Sequence, residues 1–294
     1  MSGKTLLCIL GPTAVGKTAA AIELAKRLKT EIISADSRQF YKEVSIGTAK
    51  PSPAELAEVS HHFIGQLSIK DTYSAGDFER DALQKLDSLF KQHDTVIAVG
   101  GSGLYVKALI DGLDALPPAN ESLRTELHEL FAASGIEALQ QRLKRLNETA
   151  YAQTEIANPQ RLMRAIEIET AVQNGFVNRS VKQNRTFRIL KVVMTLPREI
   201  LYERINQRVD VMMEQGLLEE VKSVVVYRNA YAMQTVGYTE LFDYLDGKLS
   251  LEKAVVLIKQ HTRNFAKRQL TWFRKEAPEH WFAPTDIEQI LHLL

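Results

Sequence analysis

Eight consecutive residues, Gly11-Pro12-Thr13-Ala14-Val15-Gly16-Lys17-Thr18, match G-x-x-x-x-G-K-[ST]. The glycines let backbone N–H groups curl around phosphate oxygens. Lys17 adds a point charge, and the Thr18 hydroxyl is placed to ligate Mg2+. Such a loop holds a polyphosphate without naming it. Proteins that hydrolyse or transfer from a nucleoside triphosphate generally hold the metal with an acid at the end of a second hydrophobic strand. Here the candidate strand, residues 95–99, runs into Gly100-Gly101-Ser102-Gly103 with no carboxylate. The acid stands instead at Asp36, after an earlier strand. That weakens an ATPase reading and puts Asp36 beside the phosphate loop, because strand C-termini in a parallel sheet face the ligand crevice.

Asp36-Ser37-Arg38-Gln39-Phe40-Tyr41 packs a carboxylate, a hydroxyl, a guanidinium, an amide and two aromatics into one short stretch. Asp36 suits a general base or a metal ligand, Arg38 a phosphate, and Gln39 an adenine edge. The same string also fits a surface loop in which Asp and Ser cap a helix. Ser102 offers a hydroxyl where glycines allow a ligand close to the backbone.

These groups need elements to position them. Residues 5–10 form an apolar run that reads as a buried parallel strand, and residues 16–28 carry apolar side chains at helical spacing. Strands follow at 31–35 and 95–99, with helices at 77–90 and 104–110. The alternation predicts an α/β fold built on a parallel sheet. Pro117-Pro118 breaks that pattern. Residues 121–174 are helical throughout, with stops near Ser134-Gly135 and Asn158-Pro159, so an all-helical subdomain interrupts the α/β core. A strand at 188–194 resumes the core, and helices at 201–213, 217–226, 239–245 and 251–273 complete it. The expected division is 1–112, 113–188 and 189–294.

The chain has 294 residues, 45% of them hydrophobic and 25% charged, which is ordinary globular composition. Its 37 basic and 36 acidic side chains exclude a globally basic coat. A lone cysteine, Cys8, excludes a disulfide framework or a Cys-based zinc site. No H-x-x-x-H array accompanies the histidines, so no zinc is expected. With no 18-residue apolar run and no signal-like leader, a soluble cytoplasmic protein is expected.

The near-neutral balance hides local asymmetry. Residues 259–275 hold six basic side chains (Lys259, Arg263, Lys267, Arg268, Arg274, Lys275) and no acid. Lys259, Arg263 and Lys267 recur every four residues and share a helical stripe. Leu251, Val255, Ile258 and Phe265 suit the core-facing side. Residues 176–191 add Arg179, Lys182, Arg185, Arg188 and Lys191. Two such runs fit an RNA-backbone track, and each alone also fits a solvated face. Arg161 and Arg164 point to one side of a helix opened by Gln160-Arg161-Leu162-Met163-Arg164; they serve either RNA or ion pairs with Glu167 and Glu169. Trp272 and Trp281 suit the core better than base stacking.

Taken together the motifs resemble the tRNA dimethylallyltransferase family (isopentenyl-pyrophosphate:tRNA transferases), in its bacterial or short form and over nearly the whole chain. The resemblance rests on residues 11–18, on Asp36-Ser37-Arg38-Gln39 with Tyr41, and on Ile46-Gly47-Thr48-Ala49-Lys50-Pro51. It continues through Gly100-Gly101-Ser102-Gly103-Leu104-Tyr105, Asn158-Pro159-Gln160-Arg161-Leu162-Met163-Arg164 and Gly237-Tyr238. The last block is Ala266-Lys267-Arg268-Gln269 with Thr271-Trp272. The family more often has Thr at the place of Ser102, and Ser keeps the hydroxyl.

The resemblance implies a P-loop NTPase-like sheet that holds pyrophosphate rather than ATP. It implies transfer of a dimethylallyl group from dimethylallyl pyrophosphate to N6 of the adenosine immediately 3′ of the anticodon, in tRNAs reading codons that start with U. Lys17, Thr18 and Mg2+ would stabilise the leaving pyrophosphate, with Arg208 as a clamp from the helix carrying Arg204 and Arg208. Asp36 would take the N6 proton. The adenosine must be flipped out to react. Asp36, Ser37, Arg38, Gln39, Ser102, Gln160, Arg161, Leu162, Met163, Arg164, Arg263, Lys267 and Arg268 are the expected contacts to the tRNA anticodon stem-loop. The expected enzyme is a monomer with no membrane partner. The competing readings are an adenylate isopentenyltransferase acting on free adenine nucleotides, a small-molecule P-loop kinase, and a non-catalytic tRNA-binding module.

Overall fold

The computed structural model describes residues 3–114, 116–177, 184–276 and 278–294. In chain order its elements begin with β1 (Thr5–Leu10), α1 (Lys17–Leu28), β2 (Ile32–Ser34), α2 (Pro53–Glu58), β3 (His61–His62), α3 (Ala75–Leu89), β4 (Thr95–Gly100) and α4 (Gly103–Asp111). Three helices follow, α5 (Glu121–Leu146), α6 (Glu148–Gln153) and α7 (Pro159–Gln173). The chain then forms β5 (Arg188–Met194), α8 (Arg198–Glu214), α9 (Leu217–Ser223), α10 (Tyr238–Leu245), α11 (Leu251–Lys275), β6 (His280–Phe282) and α12 (Ile287–Leu291). It divides into two compact units, Met1–Asp111 with Asn184–Leu294, and Gly112–Gln183.

The first unit is a six-stranded sheet in the order β3-β2-β4-β1-β5-β6, parallel at every pairing. β1 lies between β4 and β5, with Leu7 opposite Ile97 on one side and Leu190 on the other. All six of its residues are buried, as an apolar run covered on both faces requires. Ala20 and Leu24 of α1, Leu201 and Ile205 of α8, and Ala266 of α11 join the core beside Leu7, Ile9 and Ile97. Because β1, β2 and β4 are neighbours, the loops after them, at residues 11, 35 and 101, emerge side by side at one sheet edge. Cys8 is buried in β1, and burial pushes its thiol up to about 12, with Lys191 opposing and Asp111 adding to the shift.

The second unit is helical. Asn120 caps α5 by accepting from the Leu123 N–H, and Gly135 interrupts that helix at φ 73°. Asn158 accepts from the N–H groups of Gln160 and Arg161, and Pro159 opens α7. Leu123, Leu127, Leu139, Leu143, Leu162, Met163 and Ile166 form its core. Burying each such side chain contributes roughly 1.5–3 kcal/mol before entropy is counted.

The structure adds elements with no periodic signal. β3, β6, α2 and α12 are too short to show one. The helical stretch at 121–174 has a further break at Asn147, whose side chain caps α6 at the Ala150 N–H. The helix expected at 217–226 ends at Ser223 and gives way to a 3-10 turn at Val225–Tyr227. The helical unit ends at residue 183 and β5 begins at Arg188, rather than meeting at a boundary after residue 188. No helix among the described residues is long and apolar enough to cross a membrane.

Candidate active site

The loop between β1 and α1 takes a shape that few side chains allow. Gly11, Ala14 and Gly16 have φ of 140°, 64° and 111°. A Cβ on Gly11 would stand 2.6 Å from the Met194 carbonyl oxygen. Gly16 starts α1 with no side-chain cap, so the first-turn N–H groups remain for a ligand. The Lys17 ammonium donates to the Pro12 carbonyl at 2.7 Å. Burial lowers it to about 8, Asp36 opposes that shift and Arg208 adds to it. Those couplings place an acid and a second cation around one lysine.

α8 supplies two arginines one turn apart. Arg204 donates to the Val15 carbonyl at 3.2 Å. Arg208 is pulled below its usual value by burial, with Glu55 opposing. Arg208 lines the same cavity as Lys17, Thr18 and Asp36, whose volume is about 660 Å³. One Asp36 oxygen accepts the Arg38 N–H at 2.9 Å, which sets the turn and leaves the other oxygen for a ligand. The hard oxygen donors here include the Thr18 hydroxyl at the start of α1. They suit Mg2+, which keeps several waters and takes substrate phosphate oxygens.

A carboxylate at the end of β4 is sterically excluded. A Cβ on Gly100 would lie 2.5 Å from the Ala35 carbonyl oxygen. Two loops are locked together instead. Ser102 Oγ accepts the Ser37 N–H at 3.0 Å and lies 3.2 Å from Ser37 Oγ. The buried Gln269 of α11 accepts the Thr13 N–H at 2.8 Å and donates to the Gly101 carbonyl at 2.9 Å. It joins the phosphate loop to the glycine-rich loop. Gln269 was not a site residue by sequence reasoning, although it falls within the Ala-Lys-Arg-Gln block.

Several expected ligand contacts are engaged inside the protein. Gln39 accepts from Ser34 Oγ at 3.2 Å and donates to the Thr48 and Ala49 carbonyls at 3.3 and 3.0 Å. Its amide therefore holds the 46–49 loop to β2 and offers no open adenine-reading edge. Arg38 donates to the Tyr231 and Gln234 carbonyls at 3.0 and 3.1 Å, so it is a tether rather than a free phosphate clamp. Glu220 was missed. Its carboxylate accepts the N–H groups of Ser45, Ile46 and Gly47 at 2.7–2.9 Å and the Tyr238 hydroxyl at 2.6 Å. Gly47 must be glycine because a Cβ would meet the Tyr238 ring at 2.6 Å. This hub fixes the loop whose Gly47, Thr48 and Ala49 wall the cavity. Its sequence traces were the Gly237-Tyr238 pair and the block that begins Ile46-Gly47.

The basic helices divide in the same way. On α11, Lys259 pairs with Asp210 at 2.6 Å and Arg263 donates to Asn206 at 2.6 Å, so both face α8. Lys267 and Arg268 are exposed, and Arg268 lines the cavity. Phe265 is 37% exposed and lines the cavity too, contrary to its core-facing assignment. In the second run, the Arg185 side chain is only 5% exposed. It pairs with Glu79 at 2.8 Å and donates to carbonyls at the end of α4. Arg188 donates to the Leu293 carbonyl. Arg179 and Lys182 lie outside the described residues. Among the described residues of that run, Arg185 and Arg188 are therefore engaged inside the protein. In the helical unit Leu162 and Met163 are core, not surface contacts. Gln160 is exposed, and Arg161 pairs with Glu155 on the surface. Arg164 pairs at 3.0 Å with buried Glu167, which Arg124 also holds at 2.7 Å.

The chain is 46% identical over 289 residues to the tRNA dimethylallyltransferase of Cytophaga hutchinsonii, covering 98% of this chain and 95% of that protein. It is 48% identical over 280 residues to the tRNA dimethylallyltransferase of Christiangramia forsetii, covering 94% and 92%. The crystal structure of a full-length tRNA isopentenylpyrophosphate transferase from Bacillus halodurans superposes with a TM-score of 0.72 at 36% identity, over 99% of this chain and 94% of that one. Residues 39–276 match the family model described as IPP transferase, and with those likenesses along nearly its full length the chain belongs to that family.

Proposed function

We propose that the chain transfers a dimethylallyl group from dimethylallyl pyrophosphate to N6 of the adenosine immediately 3′ of the anticodon in tRNAs reading codons that start with U. The relatives it matches along nearly their whole length are named for tRNA dimethylallyl transfer. The carrying observation is that one cavity is lined by an anion-binding nest and, apart from it, by a carboxylate with one oxygen open. A carboxylate there would serve a kinase as a base too; what favours prenyl transfer is the apolar part of the lining, Leu104, Val209 and Met212, which suits an apolar chain.

In this mechanism the P-loop amides, Lys17 and Arg208 bind the pyrophosphate and take up the charge that grows as its C1–O bond breaks. Mg2+, held by the Thr18 hydroxyl, would add a Lewis-acid charge at the same oxygens. N6 attacks C1, and the N6 proton passes to the open oxygen of Asp36, which must come within hydrogen-bond reach. The products are N6-dimethylallyl adenosine and pyrophosphate. Ser102 and Ser37 fix the loop that carries Asp36. The flipped adenosine enters from the side where Arg268 and Phe265 lie exposed. We place the reaction in the cytoplasm, where its RNA substrate is.

Single-turnover transfer from radiolabelled dimethylallyl pyrophosphate tests this, with unmodified tRNA, an anticodon stem-loop and free AMP side by side. Label on RNA and none on AMP is expected. Label on AMP alone would replace the acceptor with a free nucleotide. ATP turnover without prenyl transfer would remove the reading altogether.

A further inference from the structure

Two exposed aromatic rings line the cavity, and each is backed by an arginine. Tyr231 is 65% exposed, and the Arg38 guanidinium lies 4.8 Å from its ring centroid. Phe265 is 37% exposed, with the Arg268 guanidinium 5.7 Å from its centroid. Nothing in the mechanism uses either ring.

The Tyr231 ring is exposed although its backbone is firmly held. The next two residues, Ala232 and Met233, are buried, and Arg38 ties down the carbonyls of Tyr231 and Gln234. A short turn with a buried anchor on one side and two hydrogen bonds on the other presents a large apolar ring to water. Burying that ring in the protein would have been favourable, so its exposure is the feature to explain. Arg38 covers one ring face and leaves the other open. Arg38 also follows Asp36 by two residues and donates its N–H to the Asp36 carboxylate. The platform is thus built into the turn that holds the proposed base. Phe265 sits on α11, one turn before the exposed Arg268 of the same cavity, where a phosphate backbone would be met.

Unpaired RNA is recognised through splayed bases that stack on aromatic rings or guanidinium planes, with cations along the backbone. We propose that Tyr231, backed by Arg38, and Phe265, backed by Arg268, are stacking platforms for the two unpaired bases that flank the reacting adenosine in the RNA loop. The two platforms hold the neighbours so that only the adenosine between them enters the cavity. This rests on the tRNA-transfer reading above. It adds two base-binding positions to it.

The test measures affinity for a fluorescent unmodified anticodon stem-loop at fixed salt. A parallel set of RNAs is abasic at the nucleotide 5′ or 3′ of the adenosine. Tyr231→Ala and Phe265→Ala should each weaken binding roughly 5- to 100-fold. Tyr231→Phe and Tyr231→Trp should bind within about twofold of wild type, since stacking needs a π-face and not the hydroxyl. The Tyr231→Ala penalty should vanish on the RNA abasic at one flanking position, and the Phe265→Ala penalty at the other. Pyrophosphate affinity should be unchanged in all variants, which separates a lost platform from a lost fold. The proposal is overturned if both alanine variants bind the stem-loop like wild type, if Tyr231→Phe loses as much as Tyr231→Ala, or if the penalties persist on both abasic RNAs. A wild-type protein that ignores the stem-loop altogether would overturn the tRNA reading itself.

Discussion

α7 and α11 both carry closely spaced basic residues, and the two helices use them oppositely. On α7, Arg164 joins Arg124 in holding Glu167, whose side chain is only 3% exposed. The arginine there completes a buried charge and fixes the helical unit. On α11 Lys259 and Arg263 are tied to α8, whereas Lys267 and Arg268 further along stand exposed. A basic run therefore says little about which charges a ligand can reach. That is decided by whether a partner comes within a few ångströms, and the partner lies three residues away for Arg164 but 49 and 57 residues away for Lys259 and Arg263.

The contrast can be pressed hardest in the cavity. Asp36→Ala should lower single-turnover transfer by about 10²–10⁴-fold, the usual worth of a positioned base, while stem-loop affinity stays within a few-fold of wild type. Equal losses in both would make Asp36 a scaffold residue like Arg164. The next effect belongs to the free end of α11. Lys267→Glu with Arg268→Glu should weaken RNA binding about 10- to 100-fold at low salt and flatten the salt dependence by about two phosphate contacts, with no change in thermal stability. Unchanged RNA affinity would place these cations among the solvated ones.

Lys17 gives a pH-dependent version of the same distinction. Its folded value is lowered to about 8 by burial, so above that pH the free site loses its ammonium. Pyrophosphate affinity should fall by up to about tenfold per pH unit above 8, relative to Lys17→Met, and calorimetry should show proton uptake on binding there. Stability moves the other way. The unfolded chain binds more protons between about 8 and about 10.4, so wild type should gain stability over Lys17→Met as pH rises through that window. The smallest effects are on α7. Arg164→Ala should cost about 1–3 kcal/mol in urea unfolding by leaving buried Glu167 with one partner fewer. Arg161→Ala, which breaks an exposed pair with Glu155, should shift stability by less than about 0.5 kcal/mol and RNA affinity by a few-fold at most.

What could be read in the chain follows the range of the interaction. β1 is apolar from Leu6 to Leu10, and a strand–loop–helix with Gly16-Lys17-Thr18 is a local statement, so both are plain in the sequence. α2 carried a local signal as well, since Ser52 and Glu55 form a capping box ahead of it. Six residues were too few to show a period. β3 and β6 are strands only because a neighbour pairs with them. Phe265 looked like core by spacing along α11, but the buried line there is Ala254, Ile258, Ala266, Gln269 and Phe273. The roles of Gln269 and Glu220 were hidden for another reason. Each acts through loops more than 160 residues away in sequence, and no local pattern encodes such a partner.

Cys8 has a practical consequence. It is the sole thiol of the chain, it lies in the middle of the sheet, and burial keeps it protonated. Only thiolate reacts with alkylating reagents or peroxide, so the folded protein should withstand both. Labelling then requires β1 to leave β4 and β5. The rate at which a thiol reagent is taken up under native conditions is therefore a clock for sheet opening, and it needs no engineered reporter.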